Sequence, residues 1–335
     1  MRSSSSVFHS VFKPAWWASN AHMQTILPVL LPFTMPSYTR ERWDTPDEDF
    51  IDLDWVNRAV ADQPNQKIFI LFHGLEGSSS SSYAKALMHL AAQKGWSGVV
   101  VHWRSCSGEM NRQRVMYHSG FSAEIDWVLK RMAQNFPQAR LYAAGVSLGG
   151  NALLKWLGER GSEAAKIVQA ATSICAPHDL KAGAIALQSG FNQRVYMRNF
   201  LGTLKQKALH KLTQFPDLPM TSEQVRAARN FFDVDNNFTA PLHGFKDAED
   251  YWQKSSSKQF MSGIAVPTMI LNTANDPIVP ADSLATAEQV SQTVTLNYTE
   301  NGGHVGFLTA RQSGDEMKHF AWMPEQVFCF LDAHG

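Results

Sequence analysis

The stretch that decides the fold is Gly145-Val146-Ser147-Leu148-Gly149, which directly follows the apolar run Leu141-Tyr142-Ala143-Ala144. Apolar residues at helical spacing follow it over 151–157, so the chain here predicts a strand, a sharp turn and a helix. The glycines on either side of the serine let neighbouring backbone pass without a Cβ clash. In this context a G-x-S-x-G sequence is typical of a serine nucleophile held on a strained turn.

On both sides of this turn, strand-like and helix-like segments alternate along the chain. Apolar runs predict strands at 67–72, 98–103, 139–144, 167–176, 266–271 and 294–298. Helical spacing predicts helices at 83–94, 124–133, 151–160 and 324–333. Strand, helix and strand in succession indicate βαβ units, and therefore a mostly parallel sheet with helices on both faces. Residues 50–56 alternate apolar and polar, which predicts a half-exposed edge strand.

Two segments do not follow this alternation. Residues 1–38 are irregular and aromatic, and we interpret them as an N-terminal arm anchored on the core by Trp16 and Trp17. A membrane-surface role is the second interpretation of this arm. Residues from about 177 to 263 are far longer than one βα connection requires. We interpret them as an inserted helical lid above the carboxyl edge of the sheet, where open α/β sheets carry their sites. A simple extension of the core is the alternative.

Composition narrows the class of protein further. The chain has 335 residues, 44% of them hydrophobic, which allows one large α/β domain over 1–335 that carries the insertion. Lysine plus arginine and aspartate plus glutamate both number 30, so phosphate neutralisation on nucleic acid is not favoured. Cys106, Cys175 and Cys329 are far apart and odd in number, which indicates a reducing compartment, and we expect a cytoplasmic protein. We also expect no signal peptide and no transmembrane segment, because the early apolar stretch 26–33 is short and contains prolines.

A nucleophilic serine needs a histidine base and a carboxylate that orients the histidine. Asp276 follows the predicted strand 266–271, and His304 follows the next strand in the sequence Asn301-Gly302-Gly303-His304. Both positions lie at carboxyl ends of strands, in the order Ser, Asp, His. Asp276 and His304 are therefore the predicted acid and base. Asp179, after an earlier strand, is the competing acid, and its neighbour His178 is a candidate hinge residue.

The oxyanion of a tetrahedral intermediate needs two backbone N–H donors. Leu148, directly after the serine, is predicted to supply one of them. The loop Phe72-His73-Gly74-Leu75-Glu76-Gly77-Ser78 follows a buried strand, and Leu75 is the predicted second donor. A phosphate-binding interpretation of this loop fails because no Gly-Lys-Ser/Thr sequence follows it.

Taken together, five further sequences complete a pattern. They are Asn20-Ala21-His22-Met23-Gln24-Thr25, His73-Gly74-Leu75-Glu76-Gly77-Ser78, Arg104-Ser105-Cys106-Ser107-Gly108, Tyr117-His118-Ser119-Gly120 and Gly302-Gly303-His304-Val305-Gly306-Phe307. With the serine turn, they resemble the bacterial YheT-like branch of the α/β-hydrolase superfamily, which is related to abhydrolase-domain esterases and lipases. The resemblance extends over nearly the whole chain. It implies an α/β-hydrolase fold with the same triad and oxyanion pair, and carboxylic-ester hydrolysis without a cofactor.

The sequence thus predicts a serine hydrolase that cleaves small-molecule esters of short to medium acyl chains, with no metal site. An acyltransferase with the same acyl-enzyme and a non-catalytic ligand-binding module are the alternatives. The oligomeric state stays open, and so does peripheral membrane contact. Two further questions concern the pocket. The loop 104–108 either lines it or is a structural turn, and some of seven aromatic and Met residues of the insertion are expected to line it: Phe191, Tyr196, Met197, Phe200, Phe231, Phe232 and Phe238.

Overall fold

In the computed structural model, which describes residues 11–310 and 319–335, one eight-stranded sheet organises the chain. Its spatial order is β1-β2-β4-β3-β5-β6-β7-β8. The strands are β1 (Thr39–Asp44), β2 (Phe50–Val56), β3 (Lys67–Phe72), β4 (Ser97–Val101), β5 (Arg140–Val146), β6 (Ala170–Ile174), β7 (Thr268–Thr273) and β8 (Val294–Thr299). The two pairings made by β2 are antiparallel, and all the others are parallel. The predicted α/β class with a mostly parallel sheet is confirmed.

Helices cover both faces of this sheet. Helices α3 (Ser122–Asn135) and α4 (Leu148–Arg160) pack on one face, while α2 (Ser82–Gln93) and α12 (Trp322–Ala333) pack on the other. Strand β3 explains the arrangement, because its alternate side chains enter two different cores. Ile70 and Phe72 pack with α3 and α4, whereas Leu71 packs with α2 and α12. A strand buried on both faces has to be apolar throughout, which is why the run 67–72 could be identified from sequence.

The prediction for residues 50–56 is wrong. Strand β2 is buried along its whole length, and the strand at the edge of the sheet is β1, which the sequence analysis missed. The prediction failed because the polar residues of β2 form ion pairs and are not exposed to solvent. Arg40 of β1 lies 2.7 Å from Asp54, and Arg42 lies 2.8 Å from Asp52. A buried carboxylate with an arginine partner produces the same alternation as an exposed one.

The first ten residues of the arm lie outside the described ranges. The described part of the arm contains helix α1 (Ala21–Leu30). Trp17 is an anchor, because its ring meets the His319 ring edge-on at 5.2 Å. Trp16 is not one. The two residues share a short 3₁₀ turn, which sends neighbouring side chains in different directions, and Trp16 is 82% exposed. Within the described ranges, no helix has the length and apolar character needed to cross a membrane.

Residues 177–263, called here the helical segment, connect β6 to β7. Its helices are α5 (Leu180–Ala186), α6 (Gly190–Asn192), α7 (Arg198–Gln214), α8 (Ser222–Ala227), α9 (Phe231–Val234), α10 (Ala240–His243) and α11 (Ala248–Ser255). Two π-helical turns, Gln193–Met197 and Asp235–Thr239, interrupt these helices. Such turns often mark functional sites, and the second of them borders the cavity described below.

Candidate active site

Ser147 lies on the turn between β5 and α4, with φ 51° and ψ −117°. This conformation is strained for a residue with a side chain, so the surrounding packing must impose it. A Cβ on Gly149 would come within 2.3 Å of the Phe72 carbonyl oxygen, and one on Gly145 within 2.4 Å of the Gly149 carbonyl oxygen. The glycines therefore permit the close contact of β3, β5 and α4 that forces the serine outward.

His304 lies between the serine and Asp276. Its Nε2 is 2.9 Å from Ser147 Oγ, and its Nδ1 is 2.9 Å from Asp276 Oδ2. An ionised carboxylate only accepts, so Nδ1–H donates to Asp276 and Nε2 is left to accept from the serine hydroxyl. Asp276 is itself held in place, since its Oδ1 accepts from the amides of Ile278 and Val279. This geometry suits proton transfer from serine to histidine.

Asp179 and His178 lie elsewhere. The Asp179 carboxylate accepts from the Ala182 amide at 3.1 Å and so caps the start of α5. His178 is buried, and its Nδ1 accepts from the Ala285 amide at 3.0 Å. Burial lowers the pKa of His178 to about 3, so the ring is neutral. Both residues border a separate polar depression rather than the cavity at Ser147.

The loop after β3 places the Leu75 amide beside the serine turn. Tyr83 accepts from the Gly74 amide and Tyr117 from the Glu76 amide, both at 2.9 Å. The Leu75 amide between them has no acceptor within the described ranges, and neither has the Leu148 amide at the first turn of α4. Both leucines border the cavity that contains Ser147. Two unpartnered N–H groups next to a serine hydroxyl can hold an oxyanion.

Glu76 links this loop to the helical segment. Its left-handed backbone, with φ 55°, is held by two contacts of the side chain. The Tyr117 hydroxyl donates to Glu76 Oε1 at 2.6 Å, and Lys207 Nζ of α7 lies 2.7 Å from the same oxygen. The ion pair is largely shielded from water, so the charges attract more strongly than at a fully exposed position. The loop that offers the Leu75 amide is thus tied to α7.

Helix α1 supports His304 from the other side, which the sequence analysis did not foresee. Thr25 Oγ1 accepts from the His304 amide at 2.8 Å. Gln24 is fully buried, and its side chain bonds both the amide and the carbonyl of Leu308. A Cβ on Gly306 would lie 1.7 Å from the Gln24 carbonyl oxygen, so only glycine allows this contact. The signal was present in the motif 20–25, whose polar residues lie in a stretch without Asp, Glu, Lys or Arg from 14 to 39.

A cavity of about 120 Å³ opens in front of Ser147 and His304. Of the seven residues expected to line it, Phe200, Phe231 and Phe238 do so. The other four lie away from it, and two of these, Phe191 and Phe232, are exposed. The wall also includes Tyr117 and His118 of the motif 117–120. Residues without a predicted role complete it, namely Met116, Leu180, Leu187, Leu204, Val234, Asp235, Thr239, Tyr251, Trp252 and Ile278.

The loop 104–108 is a structural turn. Arg104 is buried and forms ion pairs with Asp47, Asp49 and Glu124. No residue of this loop borders the cavity. As for metals, the described ranges contain no group of three His, Cys, Asp or Glu side chains arranged to hold an ion.

Comparisons with known proteins place this chain. Residues 67–310 match the family model described as the alpha/beta hydrolase fold. YheT of Escherichia coli (strain K12), named as an esterase, is 37% identical over 327 residues, which cover 96% of this chain and 94% of YheT. Phospholipase ABHD3 of Mus musculus is 28% identical over 309 residues, covering 90% and 74% of the two chains. An esterase of Pyrococcus furiosus superposes with a TM-score of 0.56 at 14% identity, over 91% of this chain and 98% of the other.

The chain therefore belongs to the α/β-hydrolase fold family. Within that family it belongs to the YheT-like branch, because the identity to YheT extends over almost the full length of both chains. The resemblance given by the sequence motifs is confirmed.

Proposed function

We propose that this protein is a carboxylic-ester hydrolase that works through an acyl-enzyme on Ser147. The observation that carries the proposal is the His304 ring, whose two nitrogens lie 2.9 Å from Ser147 Oγ and from Asp276 Oδ2. The names of the relatives, an esterase and a phospholipase, support ester cleavage as the class of reaction. Ser147, Asp276 and His304 are the proposed triad.

In the first half of the reaction, Ser147 Oγ attacks the ester carbonyl and its proton passes to His304 Nε2. The negative charge on the former carbonyl oxygen is stabilised by the Leu75 and Leu148 amides. The C–O bond of the ester then breaks, and Nε2–H gives its proton to the leaving alcohol. In the second half, water loses a proton to Nε2 and attacks the acyl carbonyl carbon. The bond from that carbon to Ser147 Oγ then breaks, Nε2–H returns the proton to Oγ, and the carboxylic acid leaves. Asp276 stabilises the charged imidazolium in both halves.

The substrate is a small-molecule ester with a short to medium acyl chain. The small apolar cavity supports this, since Phe200, Phe231 and Phe238 offer an alkyl chain contacts away from water. The helical segment serves as a lid, and together with the arm it is part of a single domain. Cys106, Cys175 and Cys329 are unpaired, which supports a reducing compartment such as the cytoplasm.

The test is turnover of nitrophenyl esters over a series of acyl lengths, with Ser147→Ala as the control. We expect the variant to fold and to lose roughly 10³-fold or more in kcat, because the members of a triad act as a unit. A fluorophosphonate probe should label the wild-type protein at Ser147 and leave the variant unlabelled. Undiminished turnover by Ser147→Ala contradicts the mechanism.

The same assay separates hydrolysis from acyl transfer. A primary alcohol is added as a second acceptor. If water is the natural acceptor, the amount of carboxylic acid formed still equals the amount of nitrophenol released. Ester formed in place of acid, at alcohol concentrations far below that of water, identifies an acyltransferase. A protein that binds the esters without releasing nitrophenol is a binding module.

A further inference from the structure

The cavity at Ser147 is apolar over most of its wall, but it contains one unusual group. Asp235 is the only aspartate or glutamate that lines it, and no lysine or arginine does so within the part of the chain that the structure describes. A carboxylate at an apolar surface is unfavourable unless it has partners that replace water. Its presence therefore requires an explanation that the acyl-chain pocket alone does not supply.

The partners of Asp235 are neutral. Trp252 Nε1 donates to Oδ2 at 2.7 Å, and the Thr239 hydroxyl donates to Oδ1 at 2.8 Å. Each oxygen thus retains capacity for a further hydrogen bond. Burial raises the pKa of Asp235 to about 6, against the opposing effect of these two donors. Among the described residues, none forms an ion pair with this carboxylate, so its hydrogen bonds come only from neutral groups.

The local backbone holds this carboxylate in the cavity wall. Asp235 begins the π-helical turn Asp235–Thr239, and both ends of the turn border the cavity. Helix α11 supplies Trp252 and also Tyr251, whose pKa is raised by burial and by the Asp235 charge. The Tyr251 hydroxyl accepts from the Ser119 amide, which fixes the ring. Asp235, Thr239, Tyr251 and Trp252 form what we call the polar subsite.

We propose that the polar subsite determines specificity: Asp235 accepts a hydrogen bond from a hydroxyl group of the substrate, so that the preferred esters carry a free hydroxyl on the acyl or the alcohol part. The inference rests on the proposed ester hydrolysis and names its substrate class. The physical reason is that a purely alkyl substrate displaces water from the carboxylate and gives it no donor in return. Sites built to bond a hydroxyl discriminate strongly against analogues that lack it.

The experiment compares pairs of esters that differ by one methyl-to-hydroxyl exchange. Butyl butyrate against 3-hydroxypropyl butyrate probes the alcohol side, and ethyl pentanoate against ethyl 4-hydroxybutyrate probes the acyl side. We expect one pair to show a kcat/KM ratio of about 10 or more in favour of the hydroxyl ester. Butyrylcholine, an ester with a positive charge but no hydrogen-bond donor, should show no comparable increase in kcat/KM over butyl butyrate. A higher kcat/KM for butyrylcholine than for both alcohol-side esters would show that Asp235 recognises a cation, and would overturn the proposal that it recognises a hydroxyl.

Two variants assign the preference to Asp235. In Asp235→Leu the ratio should fall to about one or invert, because the hydroxyl ester loses its acceptor. In Asp235→Asn the amide oxygen still accepts, so an intermediate ratio is expected. Asp233→Asn is the matched control, because this neighbouring carboxylate does not line the cavity, and its ratio should equal that of the wild type.

The outcomes separate this inference from the function on which it rests. A wild-type protein that hydrolyses nitrophenyl butyrate but shows no hydroxyl preference in either pair overturns the polar subsite and leaves the hydrolase intact. This comparison uses only the wild-type protein, so the proposal can be tested even if Asp235→Leu does not fold. Absence of turnover on every ester, with no probe labelling of Ser147, contradicts the hydrolase itself.

Discussion

The loops of the sheet and the helical segment 177–263 both face the cavity, but they position their groups by different means. On the sheet side, Ser147, His304 and the Leu75 amide lie at ends of β5, β8 and β3, where the backbone register sets their positions. On the helical side, the groups are side chains placed next to or within the π-helical turns. Phe200 lies near the start of α7, directly after the first turn, Phe231 begins α9, and Asp235 begins the second turn. In the proposed mechanism, the sheet backbone therefore positions the reacting groups, whereas side chains of the helical segment determine the proposed specificity.

The two regions are joined at identifiable contacts. Lys207 pairs with Glu76 beside the Leu75 amide, and the Tyr251 hydroxyl accepts from the Ser119 amide. The rings of His118 and His243 meet across the boundary with centroids 4.5 Å apart. If the contrast between the regions is correct, substitutions on the sheet side lower kcat, and those on the helical side change substrate preference.

The largest effect is expected from Asp276→Asn on the sheet side. An amide in place of the carboxylate no longer stabilises the imidazolium or enforces Nδ1–H, so kcat should fall by roughly 10³-fold with little change in KM. Steady-state kinetics on a nitrophenyl ester measure it. Asp179→Asn is the matched control, and it should leave kcat unchanged because Asp179 caps α5. Loss of activity in the control, with activity retained in Asp276→Asn, would reverse the assignment.

A smaller effect is expected from Thr25→Val, which removes the acceptor of the His304 amide but keeps the shape of the side chain. The unpaired amide costs about 1 kcal/mol or somewhat more, so kcat should fall by about tenfold while KM stays nearly constant. Thr25→Ser keeps the hydroxyl and should restore most of the rate. If serine and valine give the same rate, the bond does not position His304 and α1 is only a packing element.

On the helical side, Phe231→Ala should change preference rather than rate. Removing the ring enlarges the cavity, so kcat/KM for longer acyl chains relative to butyrate should rise by about fivefold. An acyl-length series of nitrophenyl esters measures the ratio. Phe232→Ala is the control, since its ring is 41% exposed and does not line the cavity. If kcat/KM depends on acyl length in the same way in both variants, the acyl chain does not bind against Phe231.

The smallest effect concerns the boundary between the regions. Burial lowers the pKa of His243 from its ordinary value of 6.5 to about 4, and burial also lowers the pKa of His118 well below its ordinary value. The folded state therefore binds fewer protons than the unfolded one, so stability present above pH 6.5 is lost as the pH falls towards 4. In this window each such histidine contributes a loss of up to about 1.4 kcal/mol per pH unit.

His243→Gln should flatten this dependence by about that amount per pH unit, whereas His334→Gln, at an exposed position, should not. The free energy of unfolding, measured in urea at pH 7.5, 6.0 and 5.0, gives the slopes. A His243→Gln slope equal to that of the wild type would contradict the assignment of acid sensitivity to this contact.

The sequence by itself determined the parallel strands β3 to β8 and the serine turn between β5 and α4. Strands such as β3 are buried on both faces and so are continuously apolar, and the glycines at 145 and 149 are required by backbone contacts only about 2.3–2.4 Å from a virtual Cβ. Chain order then located Asp276 and His304, because the ends of parallel strands meet at one edge of the sheet. These are local or nearest-neighbour signals, and a single chain displays them directly.

Only the tertiary structure decided the rest. The edge strand is β1 and not β2, as the alternating pattern of β2 had predicted. The polar residues of β2 are buried because Arg40 and Arg42 of β1 pair with their carboxylates. Thr25 accepts from the His304 amide across 279 residues of chain. Asp235 differs from the other acidic residues only because Thr239 and Trp252 hold it in the cavity wall. Which charge is paired, and which side chain faces a cavity, depends on partners distant in sequence, and periodicity within one segment does not encode them.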